Sequence, residues 1–119
     1  MADGVFMFLT EQALRRLLSR IVAHFPTGQI ALNAATAFQV KLANRHPPVK
    51  RAGATLQWSL DDPRALEMFH PTVKLAEERM IIESPWLSHA SKAYRTTCAV
   101  MKSIPALRAQ GGRILRYMF

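Results

Sequence analysis

The order of patterns along the chain predicts an α/β fold, an open sheet whose strands are separated by helices, rather than a helical bundle. Three observations carry this. Residues 14–25 repeat apolar side chains at helical spacing. Gln29–Ala34 is a short run whose Ile-Ala-Leu centre carries no charge on either face. Gly111-Gly112 marks a turn into a last strand over residues 113–119.

Taken in order, Thr10 is a good N-cap and Glu11 suits the positive end of a helix dipole. Leu14, Leu17, Leu18, Ile21, Val22 and Phe25 form one stripe, with Arg15, Arg16, Ser19 and Arg20 off it, so an amphipathic helix packs on something. Pro26-Thr27-Gly28 stops it. After the strand at Gln29–Ala34, a second helix is expected over residues 35–44, with Phe38 and Leu42 on one face. His46-Pro47-Pro48 ends it, because a residue before proline avoids the helical region.

Residues 54–60 alternate well enough for a strand. Asp61-Asp62-Pro63 then supplies a cap and a proline at the first helical position, opening a short helix through Phe69. A strand is expected over residues 73–82, and Ser84-Pro85 repeats the cap-plus-proline start. Weakly helical segments follow to Ala109, broken or restarted at Pro105. No repeat, low-complexity segment or linker interrupts the chain.

The chain has 119 residues, half of them hydrophobic, enough for one domain that buries roughly two-thirds of its unfolded surface. The single Cys98 excludes an intrachain disulfide and favours a reducing, cytoplasmic setting; as a residue it reads as a small buried apolar group. No signal peptide or membrane span is expected, since polar residues and Pro26 interrupt the longest stretch without charge. The net charge of +8 is uneven: six carboxylates fall between Asp61 and Glu83, and the flanking regions are basic. The basic residues are dispersed, which fits solvated faces better than a specific nucleic-acid surface.

Candidate chemistry is sparse. His24, His46, His70 and His89 share no ligand spacing and have no matching cysteines, so no metal site is expected. Asp61 and Asp62 resemble paired carboxylates, but helix capping is the better account of them before Pro63. No glycine-rich phosphate loop occurs.

The opening, Asp3-Gly-Val-Phe-Met-Phe-Leu9, resembles a segment of the leucine carboxyl methyltransferase-like family of class I S-adenosylmethionine-dependent methyltransferases, which includes bacterial polyketide-type O-methyltransferases. Asn44-Arg-His-Pro-Pro48, Gly53-Ala-Thr-Leu-Gln-Trp-Ser-Leu-Asp-Asp-Pro63 and Gly112-Arg-Ile-Leu-Arg-Tyr117 resemble later segments of these proteins, in the same order. In that family the opening segment follows the fourth strand. The resemblance therefore implies a single partial domain over residues 1–119, the C-terminal half of a Rossmann-like class I methyltransferase fold without the cofactor-loop half.

It further implies that Gln29–Ala34, residues 73–82 and residues 113–119 are strands five, six and seven with flanking helices. The last strand would be antiparallel and inserted between the other two, and residues 54–60 would belong to the substrate-covering region. Asp3 stands where the family has a glutamate at the methionine end of S-adenosylmethionine, and Gly4 would let ligand or strand approach the backbone. Phe8 and Trp58 would bind the small-molecule methyl acceptor, a hydroxyl or carboxylate compound. The chain by itself is expected to be inactive and to form a homodimer through an exposed sheet edge. Two other readings are a non-catalytic remnant or interaction protein and a basic winged-helix nucleic-acid-binding module, with residues 10–25 and 35–44 as the helix pair.

Overall fold

The computed structural model describes residues 4–119. Thr10 caps helix α1, Glu11–His24, by accepting a hydrogen bond from the Ala13 N–H at 3.2 Å. Leu14 and Leu18 are buried, with Leu17, Ile21 and Val22 half-buried beside them, so the apolar stripe is the face that packs. Arg15 lies off the stripe, pairs with Glu11, and holds its guanidinium 4.0 Å from the centre of the Phe69 ring.

Strands β1, Gln29–Ala34, β2, Lys74–Met80, and β3, Arg113–Met118, form one sheet in the order β1-β3-β2. The last strand lies in the middle and is antiparallel to both neighbours. The register sets Ile30 opposite Tyr117 and Leu32 opposite Leu115, and all four are buried. Directly opposed residues share a face of the sheet, and this face carries the core with Leu14, Leu18, Phe6, Leu60, Leu66 and Val73. Beyond the ladder, Gly28 and Phe119 exchange backbone hydrogen bonds at 2.9 and 3.1 Å.

The two outer strands present different edges. β2 carries Lys74, Glu77, Glu78 and Arg79, and its register shifts between Leu75 and Glu77, as a bulge does. Charge and bulges are the usual protections of an edge strand. β1 has neither. An apolar cleft of about 490 Å³ opens beside it, lined in part by Val5, Leu17, Ile21, Phe25 and Ile30.

Several elements differ from the sequence expectation. Residues 54–60 form no strand: the backbone groups of Leu56, Gln57, Trp58 and Leu60 bond to loops and a side chain instead of a ladder. Helix α2 spans Ala37–Arg45 and starts later than residue 35, because Thr36 and Gln39 form a capping box. His46 ends α2 as expected, but Pro47 and Pro48 occupy the first positions of a further helix, α3, Pro47–Arg51. The strand expected to reach Ile82 stops at Met80, and Ile81–Glu83 and Pro85–His89 are short 3-10 helices. Helix α4, Lys92–Ser103, begins at an unforeseen cap, Ser91, and Pro105 opens α5, Pro105–Arg108.

Candidate functional site

The opening segment is anchored at the carboxyl end of β1. The Gly4 N–H donates to Asn33 Oδ1 at 2.7 Å, and Phe6–Phe8 then makes one 3-10 turn with Phe6 in the core. Gly4 has φ +68, a left-handed conformation that favours glycine. A Cβ built there would meet nothing within 4 Å, so backbone conformation rather than close packing calls for glycine.

The same turn holds residues 54–60. The Met7 carbonyl accepts from the Gln57 N–H at 2.7 Å and the Trp58 N–H at 3.1 Å. On the other side, Asn44 and Leu56 are tied twice: Asn44 Oδ1 accepts from the Leu56 N–H at 2.8 Å, and Asn44 Nδ2 donates to the Leu56 carbonyl at 3.0 Å. The Leu60 N–H donates to the Ala35 carbonyl, just past β1. Residues 56–60 are thus tied between the opening turn and α2, near the carboxyl end of a strand, where ligands bind in open α/β sheets.

Of the residues singled out from sequence, Asp3 lies outside the described residues. Trp58 is tied through its N–H to the carbonyl of Met7, the residue before Phe8, and Gly4 is tied to Asn33. Phe8 is 42% exposed, whereas Trp58 is half-buried and packs against the core. Asn33 and Asn44 were not anticipated as anchors; the available signal was a polar residue after the apolar Ile-Ala-Leu run of β1 and another near the end of α2.

Asp61 and Asp62 do not act as a pair. Asp62 accepts from the Arg64 N–H and caps the 3-10 helix Pro63–Met68, while Asp61 accepts from the Ala37 N–H at the start of α2. His70 Nδ1 lies 2.9 Å from Thr72 Oγ1, and the His24 ring meets Phe25 edge-on. Among the described residues no group of three or more histidine, cysteine, aspartate or glutamate side chains could hold a metal ion. Among the described residues no helix is long and apolar enough to cross a membrane.

Two tyrosines are perturbed. Burial, and after it the carboxylates of Glu67, Glu78 and Asp62, push the Tyr117 phenol far above its ordinary value; its hydroxyl donates to the Pro63 carbonyl at 2.5 Å. Burial and the neighbouring Cys98 sulfur raise Tyr94. On β2, Arg79 and then Arg116 hold the half-buried Glu77 carboxyl below its usual range.

Comparison with known proteins matches nearly the whole chain. It is 32% identical over 118 residues to the tetracenomycin polyketide synthesis O-methyltransferase TcmP of Streptomyces glaucescens, covering 99% of this chain and 43% of that protein. It is 30% identical over 86 residues to the S-adenosyl-L-methionine-dependent methyltransferase dpfgK of Gibberella zeae, covering 67% of this chain and 29% of that one. The chain thus spans less than half the length of either relative. No family model and no solved structure matches.

Proposed function

Because the chain is a homologue of S-adenosylmethionine-dependent methyltransferases along nearly its whole length, we propose that it forms the acceptor-side part of an O-methyltransferase acting on a small-molecule hydroxyl or carboxylate. The observation that carries this reading is the 32% identity over 118 residues to an O-methyltransferase. In it, β1, β2 and β3 take the places of strands five, six and seven of a Rossmann-like sheet. The order β1-β3-β2, with the last strand antiparallel in the middle, supports that numbering.

The residues present fit one rim of a cofactor site. The left-handed turn at Gly4, pinned to Asn33, sits at the carboxyl end of β1; Asp3, which precedes Gly4 in sequence, has the charge to pair with an α-ammonium group. The remainder of such a site does not fit: the five glycines make no strand–loop–helix phosphate turn. S-adenosylmethionine, when bound, supplies an electrophilic methyl group on a sulfonium sulfur. The task of this chain's residues is to hold an acceptor oxygen in line with that methyl and to keep water out. Phe8 and Trp58, brought to the opening turn through Met7, are the side chains assigned to the acceptor.

The isolated chain accordingly binds S-adenosylmethionine weakly and transfers no methyl group. Calorimetric titration tests this, and a low-micromolar dissociation constant would refute it. Supplying the N-terminal half of a relative should restore binding, and Asp3→Ala should then weaken it. Equal affinity with and without Asp3 would remove that carboxylate from the site.

One observation favours a second reading, an interaction protein that pairs with another copy of itself. The β1 edge is uncharged and unbulged beside an apolar cleft, whereas the β2 edge is charged and bulged.

A further inference from the structure

Helix α2 is amphipathic, yet none of its residues is buried. Phe38 is 54% and Leu42 60% exposed. The helix is held instead by its ends, through the Thr36–Gln39 box, Asp61 and Asn44. Its apolar side opens above Ile81 and the Gly111-Gly112 turn, and the half-exposed Tyr94 of α4 lines the same opening. A surface helix ordinarily turns such a stripe toward the core; α2 leaves it uncovered.

Positions 38, 41, 42 and 45 follow the i, i+3, i+4, i+7 spacing of one helix face, so Lys41 and Arg45 share the exposed side with Phe38 and Leu42. Helix α3 follows directly and adds Lys50 and Arg51, both exposed. No acid occurs between Glu11 and Asp61. Among the described residues none of these four cations makes an ion pair, whereas Arg15, Arg79, Arg108, Arg113 and Arg116 all do. Helix α4 likewise carries cations, Lys92, Arg95 and Lys102, and no acid.

We propose that the α2–α3 face docks on an anionic lipid bilayer, with Phe38 and Leu42 entering its surface and Lys41, Arg45, Lys50 and Arg51 on the headgroup phosphates. A nucleic-acid backbone would neutralise these cations but leave the two apolar side chains in water. Specific protein interfaces are poor in lysine, and here Lys41 lies beside both Phe38 and Leu42. A bilayer surface meets both needs. Apolar side chains enter the boundary between headgroups and acyl chains, and the long stems of lysine and arginine carry their charge back to the phosphates. Two inserted side chains hold a protein on a membrane only weakly, so the cations carry much of the binding and salt weakens it. The contact is peripheral and reversible, and it needs neither the cofactor nor the acceptor of the methyltransferase reading.

The test is co-sedimentation of the 119-residue chain with vesicles of phosphatidylcholine and phosphatidylglycerol in equal parts, and with vesicles of phosphatidylcholine alone. Binding is expected to the mixed vesicles only, and molar salt should weaken it about tenfold or more. Lys41→Glu combined with Arg45→Glu should also weaken it about tenfold or more. Arg16→Glu with Arg20→Glu makes the same change of charge at exposed positions of α1, and should cost about threefold at most. Phe38→Ser with Leu42→Ser, checked for unchanged melting, should remove the binding that survives salt. Equal binding to both vesicles, equal loss in the α1 pair, or no loss in the serine pair overturns the proposal. So does duplex DNA that binds more tightly than the mixed vesicles and is unaffected by the serine pair, since the face would then read polyanions alone. Loss of vesicle binding once the N-terminal half of a relative is added overturns it too, because that half would then cover the face.

Discussion

The carboxylate of Asp61 accepts a hydrogen bond from the backbone N–H of Ala37 at 3.2 Å, across 24 residues of sequence. It therefore caps α2 and not the helix it precedes. Since α2 has no buried residue, its end contacts decide whether it forms. Asp61→Ala should lower global stability by about 1 kcal/mol, as lost caps do, and should speed amide hydrogen exchange in α2 selectively. Asp62→Ala should instead loosen Pro63–Met68. Uniform protection of α2 in the Asp61 variant would contradict the assignment.

Arg113 joins the start of β3 to the same corner. Its side chain, 14% exposed, donates to the Asp61 carbonyl at 2.9 Å and the Ala109 carbonyl at 3.3 Å; its Nε lies 3.4 Å from Glu78 without a hydrogen bond. Arg113→Met should cost about 2 kcal/mol in denaturant unfolding, the range of hydrogen bonds made by charged groups. The double variant with Asp61→Ala should be non-additive, since the two residues share one corner. Strict additivity would show that the corner is not a unit.

Tyr117 is buried, and its hydroxyl reaches the Pro63 carbonyl. Tyr117→Phe should destabilise by about 1 kcal/mol, the usual net contribution of one hydrogen bond. The folded phenol pKa is raised, so the stabilisation is complete below the unfolded value of about 10. It is lost as pH rises beyond that, because the unfolded chain ionises first. Alkaline titration of tyrosinate absorbance should show Tyr117 ionising only with unfolding, and the Phe variant should lack that part of the alkaline loss.

If the β1 edge pairs two copies, a charge on it should separate them. Ala31 is half-buried in the middle of β1, between the buried Ile30 and Leu32. Ala31→Lys should shift a dimer to monomer in light scattering while keeping the core residues in place. A wild-type chain that is monomeric at every concentration would rule out pairing through this edge.

Local chemistry was enough to locate most elements. The i, i+3, i+4 stripe and Thr10 placed α1 within a residue of Glu11–His24, and the neutral Ile-Ala-Leu run bounded β1 at Gln29–Ala34. Caps and prolines likewise marked Pro63 and Pro105 as helix starts. All of these depend on neighbours a few residues away, whose preferences are written in side-chain type and spacing. The relationship to the methyltransferases was legible too, through residues spread in order along the chain.

Long-range pairing was decided elsewhere. The alternation of residues 54–60 could not reveal that Met7, Ala35 and Asn44, rather than another strand, would take their backbone groups. The Asp61-Asp62-Pro63 run could not show that one carboxylate would cap a helix 24 residues back. The spacing of Phe38 and Leu42 predicts an apolar helix face, but only the packing leaves that face open above Ile81 and the glycine turn. Sequence pattern determines which groups need partners, since apolar surface and backbone hydrogen-bonding groups always do. Which partner each finds depends on the distances that the folded chain brings about.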